Sequence, residues 1–296
     1  MNIFELKLKF NDQVSSIDLD FIISFVIKKS REFILANPNF LINKLGLEKI
    51  YKLIDLRKKN YPIAYLTNQK EFYGINFYVN KDVLVPRPET ELIIDAAIEK
   101  ITKNTKPTMV IDVGTGSGCI ITTLAKLIPN SKIQNLSSAT IEDPKFYGID
   151  ISKEALNVAK KNAKLNNVGE NIKFLQGNLL EPVAKFILKN PKSKIQILAN
   201  LPYLTPTQVK ASPSIEQEPR LALVAGPDGL KYYRKLFKQI KKLSLDDYNI
   251  FCEIDHTQTS NIKTLIKKEL PQDEFEIKKD LSGFDRLVII TKKHSD

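Results

Sequence analysis

The stretch VIDVGTGSGC, residues 110 to 119, decides how the rest of the chain is read. Val110, Ile111 and Val113 are β-branched and end in glycines, so an apolar strand runs into a tight turn that opens a helix. Glycines at 114, 116 and 118 let the backbone turn sharply and approach a ligand closely. A dinucleotide fingerprint, G-x-G-x-x-G, needs glycine at 119. Cys119 stands there and the third glycine comes one residue early, so a nicotinamide site is excluded.

Outward from this turn the pattern alternates. A helix over 88–103 leads into TMVIDVG, a helix follows from about 117, then strand KFYGID, a helix from 152, and strands IKFLQG and IQILAN. Later come a helix near 229–241, strand YNIFCEI, a helix near 257–269 and two closing strands, EFEIKK and DRLVII. Such alternation predicts an α/β fold with a mostly parallel sheet covered on both faces. The last two strands are close enough to pair as a hairpin, which gives one antiparallel edge strand. Before residue 80 the apolar spacing is helical over 18–37 and 47–60. Asp18 or Asp20 is placed to cap the first helix and Asn37-Pro38 to stop it. EFYGINFYVNKDVLV (71–85) reads as a hairpin turning near Gly74. The expected units are a small helical bundle over 1–70, a hairpin linker over 71–87 and a catalytic domain over 88–296.

The chain's 296 residues carry a formal charge of +11, made of 39 lysines and six arginines. Scattered lysines are mobile point charges, whereas base and phosphate readout favours arginine forks. A solvated surface is therefore expected rather than sequence-specific nucleic-acid binding. No run approaches a membrane span, MNIFELKLKF lacks a leader's apolar centre, and a cytoplasmic, reducing setting fits. Cys119 and Cys252 form no disulfide framework, and His256 and His294 are too few for a metal site.

In sheets of this kind ligands sit beyond the carboxyl ends of the strands. Three such ends carry candidates. The first is the glycine turn, Gly114, Thr115, Gly116, Ser117 and Gly118. The second is Asp150, whose carboxylate can accept from both ribose hydroxyls of an adenosine; its alternative role is to cap the helix near Ser152. Asp150 lies farther from the glycines than usual, which fits a looped insertion, SKIQNLSSATIEDPK (131–145). The third is Asn200-Leu201-Pro202-Tyr203, where an apolar strand ends in an amide, a proline and a phenol. Together with an adenosine site this suits methyl transfer from S-adenosylmethionine to a planar amino nitrogen. The Asn200 oxygen and the Leu201 carbonyl would aim its two N–H groups, Tyr203 would stack on it, and Pro202 would stiffen the turn.

With these residues in view, the chain resembles the HemK/PrmC release-factor glutamine methyltransferases over nearly its whole length. The resemblance is carried by DLDFIISFVIKKSREFILANPNF, PIAYLTNQKEFYGINFYVNKDVLVPRPETELI, GIDISKEALNVAKKNA, GNLLEP, ANLPY and EPRLALVAGPDGL, in that order. It implies a seven-stranded, Rossmann-like class I methyltransferase domain behind the helical bundle. It further implies methylation of the side-chain amide of the glutamine in the Gly-Gly-Gln motif of class 1 release factors, with a monomer as the working unit. By position, Gly114 to Gly118 would wrap the methionine part of the donor, Asp150 the ribose, and Asn178 and Leu179 the adenine. Asn200, Leu201, Pro202 and Tyr203 would receive the glutamine, Asn200 also bordering the donor. Arg87 and Glu89 would line the substrate channel, or form a structural ion pair or helix-start charge. Leu201 stands where the family usually has proline, Asn178 where it has aspartate, and Asn68 where it has glycine. Leucine at this place is also common in ribosomal RNA adenine dimethyltransferases, so an N6-adenine methyltransferase acting on RNA or DNA stays open. A ribosomal-protein substrate and a binding module without turnover stay open as well.

Overall fold

The computed structural model describes residues 1–103, 108–128, 146–191 and 193–292. The 131–145 insertion and His294 lie outside the described residues.

The N-terminal region is helical: α1 (Ile3–Phe10), α2 (Ser16–Ile27), α3 (Arg31–Ala36), α4 (Lys44–Lys58) and α5 (Ile63–Thr67). The single helix expected over 18–37 is in fact two. Lys28 turns left-handed (φ 55°) at the end of α2, and the Ser30 side chain restarts the chain by accepting from Phe33 N. Neither Asp18 nor Asp20 caps α2. Ser15 does, one turn earlier, with its hydroxyl accepting from Asp18 N at 3.1 Å. The two aspartates serve tertiary contacts instead: Asp18 pairs with Arg57 at 2.8 Å, and buried Asp20 with Lys7 at 2.5 Å. Leu6, Leu19, Ile22, Ile23, Ile50 and Ile54 fill the centre of these helices.

β1 (Gln69–Phe72) and β2 (Ile75–Tyr78) form a hairpin through Tyr73 and Gly74, both at positive φ (52° and 69°), the backbone that a two-residue turn requires. A 3₁₀ turn, Pro88–Thr90, then starts α6 (Glu91–Thr102). The chain continues as β3 (Thr108–Val113), α7 (Cys119–Leu127), β4 (Phe146–Asp150), α8 (Lys153–Leu165), β5 (Ile172–Gln176), α9 (Ala184–Lys189) and β6 (Lys194–Ala199). It closes with α10 (Pro206–Lys210), α11 (Lys231–Leu243), β7 (Tyr248–Glu253), α12 (Thr259–Glu269), β8 (Glu274–Lys279) and β9 (Asp285–Thr291). The seven strands are ordered β5-β4-β3-β6-β7-β9-β8. β3 to β7 are parallel, and β9 runs against β7 on one side and the edge strand β8 on the other.

Every residue of β3 and β7 is buried, as expected for strands with helices on both faces. One core lies beneath α11 and α12, around Tyr233, Phe237 and Ile266; the other lies beneath α6 and α7, around Ile94, Ile121 and Phe251. A smaller cluster of Ala64, Val79, Val83, Val85, Ala155 and Val158 joins α5 and the segment after the hairpin to α8.

One side chain ties hairpin to sheet. Asn162 of α8 is fully buried; its Oδ1 accepts from Tyr78 N (2.7 Å), and its Nδ2 donates to Tyr78 O and to Ser117 O (both 2.9 Å). Asn162→Leu keeps the volume but strands three backbone groups, one buried at Ser117 and two half-buried at Tyr78. It should lower unfolding free energy by roughly 3 kcal/mol or more, since each such group left unpaired costs about 1–3 kcal/mol. Urea unfolding checks this; a loss below about 1 kcal/mol would refute the clamp.

Candidate active site

The glycine turn follows β3 and is held from β4. Gly114 N and Thr115 N both donate to Ile149 O, at 2.8 and 2.9 Å. Gly114, Gly116 and Gly118 sit at φ 74°, 54° and 77°, where a side chain is strained. A Cβ on Gly118 would come within 3.0 Å of the Ala159 Cβ, so this glycine serves the close approach of α7 to α8. Gly116 has open space instead, and its N–H donates to Asp150 Oδ2 at 2.9 Å.

Asp150 ends β4 and binds on two sides. Its Oδ1 accepts from Ser152 N at 2.9 Å, while Ser152 itself caps α8 through Ala155 N. Asp150 therefore does not cap α8, a role that falls to Ser152; it braces that cap residue and lines the cavity wall. Burial pushes the Asp150 carboxyl above its usual range, opposed by the N–H groups of Ser152, Gly116 and Ile151. Asp112, wholly buried in β3, accepts from Thr115 Oγ1 at 2.6 Å, which fixes the turn from below; burial pushes its carboxyl up to about 7.

Asn178 and Leu179 follow β5. Leu179 is buried at φ 54°, an unusual backbone for leucine that must be held in place. Gln239 of α11 holds it: Oε1 accepts from Leu180 N (2.9 Å) and Nε2 donates to Asn178 O (3.3 Å). The Asn178 side chain donates to Glu181 at 2.9 Å.

At the end of β6, Asn200 Nδ2 donates to Thr90 Oγ1 at 2.9 Å, and Asn200 Oδ1 makes no hydrogen bond among the described residues. Leu201 is buried. The Tyr203 hydroxyl donates to Glu253 Oε1 at 3.1 Å, and Gln258 Nε2 donates to Tyr203 O at 2.8 Å. Gly229 lies so close that a Cβ there would stand 2.1 Å from Tyr203 O. The next residue, Leu204, bonds Leu223 and Ala225 of the EPRLALVAGPDGL segment through its backbone. Glu253 ends β7 and is buried; burial pushes its carboxyl up to about 7, against the Thr90 and Tyr203 hydroxyls and Arg286.

These strand ends enclose a cavity of about 310 Å³. Gly114 to Ser117, Asp150, Asn178, Leu179, Asn200, Leu201, Pro202 and Arg87 line it, but Gly118 and Glu89 do not. A second cavity, of about 210 Å³, adjoins it and shares Leu84, Arg87, Asn200, Leu201 and Ala222. Tyr203 lines only this second one. Arg87 pairs with buried Glu218, which also accepts from Val85 N at 3.0 Å, so Arg87 braces the rim that it lines. Glu89 is exposed in the 3₁₀ turn. Sequence reading missed Thr90, Asn162, Gln239 and Glu253; Thr90 and Asn162 lay within quoted motifs and Glu253 within a quoted strand, but none was singled out. Among the described residues no group of His, Cys, Asp and Glu could hold a metal, and no helix is long and apolar enough to cross a membrane.

Two buried carboxyls titrating near 7 set a pH dependence. Asp112 and Glu253 have folded pKa values raised from 3.8 and 4.5 to about 7, so their contribution to stability is complete at low pH and lost as pH rises toward the folded value. Asp285, held low chiefly by Lys279, acts with the opposite sign but below this window. The melting temperature should fall between pH 5 and about 7.5, and an Asp112→Asn, Glu253→Gln double variant should flatten that slope. An unchanged slope in calorimetry would show that these carboxyls do not set it.

A family model described as a methyltransferase domain matches residues 104–280. The chain is 32% identical to the release factor glutamine methyltransferase of Clostridium acetobutylicum over 284 residues, 95% of this chain and 93% of the relative. It is 36% identical to that of Bacillus subtilis over 252 residues, 82% and 81% of the two chains. The fold is also that of the hMettl16 catalytic domain solved with MAT2A 3′UTR hairpin 6, at 15% identity, a TM-score of 0.56 and 93% of each chain. The chain belongs to the release factor glutamine methyltransferase family.

Proposed function

We propose that this protein methylates the side-chain amide nitrogen of the glutamine in the Gly-Gly-Gln motif of a class 1 peptide chain release factor, with S-adenosylmethionine as donor. The observation that carries this reading is the position of Asn200, in the wall shared by the two cavities. One cavity has the features that an adenosine-bearing donor needs: a glycine turn where Gly116 leaves space for close approach, a carboxylate at Asp150 with lone pairs to spare, and a mostly apolar wall at Leu179 and Leu201. The other, floored by Tyr203, suits a small planar group.

When bound, S-adenosylmethionine supplies an electrophilic methyl group on its sulfonium. The chain's part is to aim the nucleophile. Asn200 Nδ2 is engaged by Thr90, so its Oδ1 is left to accept one amide N–H of the glutamine, and the Leu201 carbonyl accepts the other. Tyr203 offers a ring face, and Pro202 keeps the two acceptors in fixed relation. Methyl transfer to the neutral amide would leave a positively charged nitrogen, acidic enough to lose one of its protons to water without a dedicated base.

A monomer is the proposed working unit. A glutamine on a short loop offers few contacts, and we assign recognition of the rest of the release factor to the helical unit of residues 1–70. Its lysines suit an acidic face on the partner. The work of such an enzyme lies in translation termination, in the cytoplasm.

Purified release factor incubated with protein and donor should gain ~14 Da, one CH2, on the Gly-Gly-Gln peptide. Methylation of adenine in RNA, with release factor unmodified, would overturn the assignment. Asn200→Ala should lower kcat by roughly 10²-fold, as for one preorganised polar contact, with donor affinity little changed. Asp150→Ala should weaken donor binding by about 1.5–3 kcal/mol, the range for a hydrogen bond to a charged group. Calorimetry with donor alone reads this; an unaltered dissociation constant would leave Asp150 as a structural brace.

A further inference from the structure

We propose that Asp255 is a specificity-determining residue that receives main-chain N–H groups of the peptide carrying the target glutamine. The inference rests on the reading of the second cavity as the acceptor side of the site. Arg87 and Asp255 are the charged residues of that cavity's wall, and they differ in one respect. Arg87 is answered by buried Glu218. Asp255 is not answered in this way. His256 Nδ1 stands 3.8 Å from its Oδ1, beyond hydrogen-bond reach and at the oxygen that Thr257 already holds. Arg286 donates to Ile254 O at 3.2 Å but is itself paired with Asp280 at 3.2 Å. On a chain of formal charge +11, the open charge in the wall with Asn200 and Tyr203 is therefore negative.

The carboxylate is fixed in place. Asp255 follows β7, which pairs with β6 in parallel, so the two strands end side by side. Its Oδ1 caps the 3₁₀ turn His256–Gln258 by accepting from Thr257 N at 2.9 Å and from the Thr257 hydroxyl. Gln258, 5% exposed, ties the backbone of Asp255 to that of Tyr203: Oε1 accepts from Asp255 N at 3.2 Å, and Nε2 donates to Tyr203 O at 2.8 Å. Asp255 Oδ2 makes no hydrogen bond among the described residues. An ionised oxygen of this kind accepts and cannot donate. Main-chain N–H groups answer it with short, charge-assisted bonds. The two glycines before the target glutamine bring such groups with no side chain to hold the carboxylate off. A nucleic-acid strand brings phosphates of the same sign, which this oxygen repels. The chemistry recognised is that of a peptide, and of one whose backbone can come close.

Asparagine and serine cap a helical turn about as well as aspartate, so Asp255→Asn and Asp255→Ser keep the turn and remove the charge. Each is compared with the intact protein using a class 1 release factor and S-adenosylmethionine. KM for release factor should rise about tenfold or more in both, as for a lost hydrogen bond to a charged group, while kcat and the donor dissociation constant stay within about threefold. A contact made equally in the ground state and the transition state has that signature. An unchanged KM in both variants would reduce Asp255 to a turn cap and overturn the proposal. Equal falls in kcat and donor affinity would overturn it too, by showing that the segment around Tyr203 had collapsed. Asn200→Ala run alongside separates the layers: if it is impaired while both Asp255 variants are normal, only the role of Asp255 falls. Normal activity in Asn200→Ala, or methylation of a single-stranded RNA with release factor untouched, removes the reading of the cavity and the proposal with it.

Discussion

The buried amide of Asn162 is the contact on which the site's architecture rests. The glycine turn is built from residues that strain or loosen a backbone, and it offers little apolar surface of its own to hold it down. It is fixed through hydrogen bonds instead: to Ile149 O from β4, to Asp112 from below through Thr115, and to Asn162 through Ser117 O. Asn162 is also paired with both backbone groups of Tyr78. One side chain therefore couples the glycine turn to the hairpin, and through the hairpin to the N-terminal helices. A neighbouring asparagine one turn on, Asn166, adds a longer bond of 3.4 Å to Asn76 O. Polar residues at 162 and 166 on the buried face of an otherwise amphipathic helix are costly unless fully paired, and here the pairing sets the register of two units against each other.

The chemistry collects at one edge of the sheet because the strands are parallel. β3, β4 and β7 carry a carboxyl at or near their carboxyl ends, buried at Asp112 and Glu253 and half-buried at Asp150, and β6 ends in the Asn200 tetrad. Burial raises all three carboxyls, and each is answered by local donors: a threonine hydroxyl for Asp112, backbone N–H groups for Asp150, the Tyr203 hydroxyl for Glu253. Neutral donors orient a carboxyl without cancelling its acceptor capacity. Of the three, Asp150 alone lines the cavity; Asp112 and Glu253 brace the turn and Tyr203 from behind.

Much of this was legible in the chain. Alternating periodicity gave the layered sheet, and the glycines, Asp150 and the tetrad stood at strand ends because strand, turn and helix signals are local. The partners that orient them were not legible. Thr90 meets Asn200 across 110 residues, and Gln239 meets Leu180 across 59. Asn162 lies in a helix of lysines and alanines, where an asparagine reads as surface. Glu253 ends an apolar strand, where a carboxylate resembles a helix-start charge. Periodicity misjudged α2 and α3 because apolar residues recur through 18–37, whereas the break is made by left-handed Lys28 and the new cap at Ser30.

Leu201 shows how the two kinds of information meet. As a departure from the usual proline it raised a question of substrate, since leucine occurs there in enzymes of a different acceptor. In the fold its side chain is 3% exposed and points back to the glycine turn, where its Cδ2 would be 3.0 Å from a Cβ on Gly114. The side chain is a packing piece between the donor turn and the tetrad. The group assigned to the substrate is the backbone carbonyl, which leucine and proline share. Proline at 202 already restricts the residue before it to extended backbone, so the carbonyl's direction is set by the residue that follows rather than by the side chain at 201. The second cavity is walled by Tyr203, Ile215 and Leu223 rather than by the side chain at 201 alone.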